Sequence, residues 1–90
     1  MPRYLVERSF PDGFQIPHDA SGMRTCLGIV EGNVQERVDW LQTYVSADKR
    51  RLFCIYDAPS PEAIRRAANR NKLPILEIVE VRVLDPYFCI

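Results

Sequence analysis

Residues 38–71 read VDWLQTYVSADKRRLFCIYDAPSPEAIRRAANRN, and the fold follows from this stretch. It holds two strand-like runs, about Val38 to Ser46 and about Arg51 to Ala58, rich in β-branched and aromatic side chains. The short polar connector Ala47-Asp48-Lys49-Arg50 lies between them, so the pair reads as a β-hairpin. Ser60-Pro61-Glu62 then opens a helix: a hydroxyl to accept a free backbone N–H, a proline where no N–H is needed, and an acid near the positive helix end. The helix is expected to run to about Asn71, with Ile64, Ala67 and Ala68 inward and Glu62 paired to Arg66 on the wet side. Lys72-Leu73-Pro74 stops it, because the residue before a proline disfavours helical geometry.

A strand and a helix precede this stretch. The first strand is expected over Arg3 to Phe10, closed by the turn residues Pro11-Asp12-Gly13. After a connection from Phe14 to Pro17, Asp19 or Ser21 can cap a helix. Met23, Leu27, Val30 and Val34 recur at steps of four, three and four, which predicts that they form its buried face, widened by Cys26 and Ile29. Gly22, Gly28 and Gly32 lower its intrinsic propensity, so it depends on packing, with Gly28 allowing close approach to the sheet. A last strand is expected near Leu76 to Leu84, followed by an apolar end, Tyr87 to Ile90, that should dock onto something. The order β-α-β-β-α-β predicts a single ferredoxin-like α+β domain over residues 1–90, with a four-stranded antiparallel sheet and both helices on one face.

Ninety residues are too few for two cores, and 47% hydrophobic with 27% charged residues is a globular balance. Twelve basic residues against twelve acidic ones create no field that draws nucleic acid or anionic lipid. The sheet aromatics also lack the spacing of an RNA-binding signature, so no nucleic-acid partner is expected. No apolar run approaches the roughly 20 residues of a membrane span. Charges within Met-Pro-Arg-Tyr-Leu-Val-Glu-Arg speak against a signal peptide. The expected location is the cytoplasm, with no membrane partner. Cys26, Cys54 and Cys89 are odd in number and form no Cys-x-x-Cys pair, so neither a disulfide framework nor a structural zinc site is indicated. No glycine-rich phosphate loop is present.

The strands do not alternate between apolar and polar residues. Trp40 and Tyr44 oppose Leu41 and Val45; Leu52, Cys54 and Tyr56 oppose Phe53 and Ile55; Leu76 and Ile78 oppose Val79, Val81 and Val83. Both faces are apolar, and a second copy is the natural cover for the face that the helices leave open. The expectation is a homodimer of facing sheets enclosing a cavity for a small polar ligand or metal ion. Glu7, Tyr44, Cys54 and Asp57 are the candidate ligand contacts, although parity does not say which face lines the cavity. His18, the single imidazole, is the candidate metal ligand, with Glu7 or Asp57 beside it. Each has an ordinary alternative: a loop or capping histidine, a core cysteine, a turn-forming aspartate. Two other functions fit the same residues. One is a cofactor-independent isomerase or oxygenase using Glu7 or Asp57 as acid or base; the other is an interaction module packed shut by Trp40, Tyr44 and Tyr56.

Trp40 through Pro59, the following Ser60-Pro61-Glu62-Ala63-Ile64-Arg65, Leu73-Pro74 and Glu80-Val81 together resemble a small bacterial family, formerly of unknown function. Its structural prototype is a nickel-binding, dimeric ferredoxin-like α+β barrel. The resemblance implies this fold, a dimer, and nickel or another divalent metal as ligand. In the family's nickel-binding branch, histidines recur in the first strand and twice in the second helix, just before a Gly-Leu exit. The matching positions here hold Arg8, Ala67 and Asn71, none of which offers an imidazole, and Lys72 stands at the glycine. By this resemblance the chain belongs to a branch that kept the scaffold and lost or moved the metal site.

Overall fold

The computed structural model describes residues 1–14 and 19–87. The elements run β1 (Arg3–Ser9), α1 (Ala20–Gln35), β2 (Asp39–Val45), β3 (Arg51–Asp57), α2 (Pro61–Asn71) and β4 (Glu77–Val81). The hairpin forms where expected. At its tip the Asp48 carboxylate accepts from Ser46 Oγ at 2.6 Å and from the Arg50 N–H at 3.0 Å, while Lys49 takes a left-handed conformation, φ 61°. The caps also follow the sequence. Asp19 Oδ1 accepts from the N–H groups of Ser21 and Gly22, both at 3.0 Å, and Ser60 Oγ accepts from Ala63 N–H at 3.2 Å.

The sheet order is β2-β3-β1-β4 and all neighbours are antiparallel, which completes the ferredoxin-like arrangement. β1 pairs β3 from Arg3↔Asp57 to Ser9↔Arg51. Alternation along the strands sends Tyr4, Val6 and Arg8 of β1 and Leu52, Cys54 and Tyr56 of β3 beneath the helices, where all are buried. They meet Ala63, Ile64 and Ala67 of α2 in one core.

The structure corrects the reading of α1. Met23 and Val34 are 66% and 63% exposed, and Leu27 and Val30 are exposed with them, so the apolar stripe points away from the domain. The adjoining face docks instead, through Gly22, Cys26, Ile29, Gly32 and Asn33, so that of the expected buried residues only Cys26 and Ile29 turn inward. The reason lies in a close, polar contact between the helices. Asn71 Nδ2 donates to the Ile29 carbonyl at 3.3 Å and to Asn33 Oδ1 at 3.1 Å. A Cβ at Gly32 would overlap Asn71 Oδ1 and come within 3.1 Å of its Cγ, whereas Gly28 faces open space. Glu36 adds two ion pairs, accepting from Arg66 Nε at 2.8 Å and Arg70 Nε at 2.9 Å. Arg66 therefore pairs across to the segment after α1 rather than with Glu62.

β2 holds a second correction. Trp40 pairs with Tyr56 and Gln42 with Ile55, so Leu41 is an extra residue, a β-bulge. The bulge breaks the shared parity expected of Trp40 and Tyr44. Trp40 stays under the helices, donating from Nε1 to Thr43 Oγ1 at 2.7 Å, and Tyr44, paired with Phe53, turns to the open face. β4 is shorter than expected, and Val83, Leu84 and Tyr87 beyond it are exposed; the last three residues of the apolar end lie outside the described residues.

Candidate functional site

Three of the four candidate ligand contacts share the open face of the sheet. Glu7 lies against the Arg51 guanidinium as a charge pair, without hydrogen-bond alignment at its buried Oε1. Arg51 in turn covers the Phe53 ring, 5.3 Å from its centroid. Tyr44 is on the same rung, across Phe53, and is largely exposed. Asp57 is four residues further along the ladder, about 13 Å at strand spacing. There Arg3 grips it with Nε at 2.9 Å and Nη2 at 3.2 Å, and those hydrogen bonds hold its carboxyl below the usual range. Asp57 is thus a poor proton acceptor, and it does not converge with Glu7.

Cys54 does not join them. It is buried on the opposite face with Leu52 and Tyr56, because β3 continues its alternation without a bulge. His18 lies outside the described residues.

The face beneath the helices holds what sequence reasoning missed. A hollow of about 160 Å³ opens between the sheet and α1, walled by Phe14, Ile29, Trp40 and Leu73 and lined by Cys54 and Tyr56, with Arg8 among them. Arg8 is 2% exposed. Its Nη1 donates to the Pro74 carbonyl at 2.7 Å and its Nη2 to Tyr56 Oη at 3.1 Å, but Nε–H has no acceptor. Among the described residues no carboxylate pairs with it. Burial pushes the Tyr56 phenol up to about 12; Arg8 opposes the shift and Cys54 adds to it. Tyr56 therefore keeps its proton at neutral pH. Its oxygen accepts from Arg8, and a hydrogen bond with the Cys54 thiol helps it to keep its proton. The signal for this site was present in the sequence: Arg8 continues the parity of Tyr4 and Val6, a charged residue in an otherwise apolar buried row.

A larger hollow of about 410 Å³ lies at the end of the sheet, between Pro2, Arg3, Asp57, Glu80 and Arg82. It is wide and shallow, and its central pair, Arg3 and Asp57, already satisfy each other. The smaller hollow is the better enclosed and holds the unmatched charge.

Nickel does not fit the three positions that the family resemblance singles out. Position 8 carries a fixed cation, Ala67 packs a methyl group into the core, and the Asn71 amide is engaged with α1. Among the described residues no three His, Cys, Asp or Glu side chains come together to hold a metal ion. Likewise, no helix there is long and apolar enough to cross a membrane.

No curated protein matches the chain. The crystal structure of SCO4226 from Streptomyces coelicolor A3(2) superposes with a TM-score of 0.74, covering 92% of this chain and 99% of that one at 18% identity. That likeness carries the fold. The family described as nickel responsive protein, SCO4226-like, matches residues 4–81, from the second residue of β1 to the end of β4. The chain belongs to this SCO4226-like, nickel-responsive family.

Proposed function

We propose that this chain is a homodimeric small-ligand-binding protein, which uses the open sheet face for assembly and the hollow beneath the helices for its ligand. The observation that carries the reading is Arg8: a guanidinium almost wholly buried beside an unfilled hollow, with Nε–H unmatched. Such an arrangement is costly in a purely structural core, since buried polar groups are otherwise paired. Assembly through the sheet is supported by the apolar rows Leu5, Phe53, Ile55, Val79 and Val81, which no helix of the same chain covers. Glu7, Tyr44 and Asp57 then line a subunit interface, and Cys54 lines the ligand hollow. The family's metal is not part of this reading, because the charge at position 8 repels a divalent cation.

Native mass spectrometry of untagged protein, as purified and after adding nickel, tests it. The expected result is a dimer that takes up no stoichiometric nickel. A monomer at micromolar concentration would overturn the assembly. Retention of one nickel per subunit, surviving buffer exchange, would return the function to the metal.

A further inference from the structure

We infer that the Arg8 hollow is an anion site, and that it takes a small monocarboxylate with a compact apolar or aromatic body; this rests on the hollow being the ligand site. The charge comes first. Arginine presents five N–H donors, of which two are used here, on the neutral acceptors Pro74 O and Tyr56 Oη. The buried Nε–H is unpartnered, and no carboxylate neutralises the group among the described residues. A carboxylate is the ligand that matches a guanidinium fork in both charge and geometry.

The remaining donors agree in sign. Tyr56 stays protonated; its oxygen accepts from Arg8, and its O–H, held by the Cys54 thiol in the unliganded protein, can turn to the stronger acceptor that a carboxylate offers. Thr43 Oγ accepts from Trp40 Nε1, which leaves the threonine O–H to donate. Donors thus predominate around the charge, and the walls are apolar: Phe14, Ile29, Trp40 and Leu73. One cation in an apolar setting suits a monoanion; a phosphate dianion would bring a second charge with nothing to meet it. Size sets the body. A cavity of about 150 Å³ takes up a benzene ring, and this hollow is about 160 Å³.

Trp40 is the single tryptophan and lines the hollow, so its fluorescence reports occupancy. The full chain is titrated with benzoate and isovalerate as anionic probes and with benzamide as the neutral isostere of benzoate, by fluorescence and calorimetry. Benzoate is expected to saturate the Trp40 signal and to bind at least about tenfold tighter than benzamide, the margin of a charge-assisted pair over a neutral one. Arg8→Met should abolish that preference while leaving benzamide binding in place. Tyr56→Phe, which keeps the charge, should weaken benzoate several-fold. Equal binding of benzoate and benzamide would overturn the anion assignment and leave the small-ligand reading standing. No response to any of the three probes would overturn both. Benzoate binding unchanged in Arg8→Met would place the anion elsewhere and also refute the inference. Should Arg8→Met fail to fold, the benzoate-to-benzamide ratio in the native chain and the Tyr56→Phe result still decide.

Discussion

Replacing Arg8 by methionine should make the unliganded protein more stable, and the size of the gain follows from what the guanidinium touches. Taking an ion of this kind out of water carries an effective penalty of several kcal/mol. Against it stand two hydrogen bonds to neutral oxygens, at 2.7 and 3.1 Å, each returning about 1.5 kcal/mol. The orphaned Nε–H returns nothing against that penalty. Methionine follows the arginine stem as far as Nε and carries no charge, leaving the guanidinium's place open to the hollow. It leaves the Pro74 carbonyl without its donor, at about 1–2 kcal/mol, while the Tyr56 hydroxyl keeps its hydrogen bond with Cys54. The balance favours the variant by about 1–2 kcal/mol. In a domain of this size each kcal/mol moves the melting temperature by about 4–8 °C. Urea unfolding with an unchanged slope measures the difference, on protein dialysed free of small anions. A variant destabilised by more than about 1 kcal/mol would refute the reasoning: Arg8 would then be a strut between β1 and the Pro74 turn, its charge adequately met.

On the open face, Ile55→Glu should weaken the proposed dimer more than about a hundredfold, because a carboxylate would be buried on both sides of a two-fold axis; sedimentation equilibrium reads the dissociation constant, and an unaltered assembly would exclude this face. Lys72 closes α2 in the left-handed region at φ 55° and ψ 43°, so Lys72→Gly should gain about 1 kcal/mol by thermal unfolding while Lys72→Ala gains nothing. Gly32→Ala, ordinarily favourable within a helix, should instead destabilise, because the added methyl group meets the Asn71 side chain; a double-mutant cycle with Asn71→Ala should restore the usual sign. Asp19, Glu36, Asp48 and Asp57 all have carboxyls held below their ordinary values by hydrogen bonds. Depressed native values mean that their contribution is complete above the unfolded-state range near about 4 and is lost as pH falls through the lower native values. The urea midpoint should therefore be flat from pH 7 to about 5 and fall below about 4, and Glu36→Gln should flatten part of that fall.

The sequence was most informative where the physics is local. The Ser46–Arg50 tip, the Asp19 and Ser60 caps and the inward face of α2 each rest on a few neighbouring residues, and all formed where their chemistry predicts. The failures came from decisions made across the fold. Met23, Leu27, Val30 and Val34 form a regular stripe, yet the face that docks was chosen by Gly32 and Asn33 meeting Asn71, 38 residues from Asn33. Periodicity reports that one side of a helix is apolar, not which side its own chain covers. The bulge at Leu41 likewise has no proline or glycine to announce it, and one extra residue was enough to send Trp40 and Tyr44 to opposite faces. Cys54 is read as a ligand contact and Arg8 only as the residue at a family histidine position, although both lie in the same buried layer. The difference is that an arginine in a strand is ordinarily taken to be at the surface.

The chemistry at position 8 separates what the family description carries to this chain from what it does not. The match over residues 4–81 brings the scaffold, and the scaffold fixes a side chain near the end of β1 in the buried layer between the sheet and α1. What that side chain attracts is a property of the residue alone. A group that offers a lone pair there would recruit a cation, whereas a guanidinium has no lone pair to give and cannot lose its proton in a protein. On the proposed reading, Arg8 changes the sign of the preferred ligand without moving the backbone. The neighbours are consistent with that sign: a phenol kept protonated by burial, a threonine hydroxyl free to donate, and an apolar wall that raises the strength of any charge pair formed inside it. On the proposed reading, the chain keeps its family's fold and exchanges its ligand class through one residue, because the hydroxyls beside Arg8 can donate to the same anion.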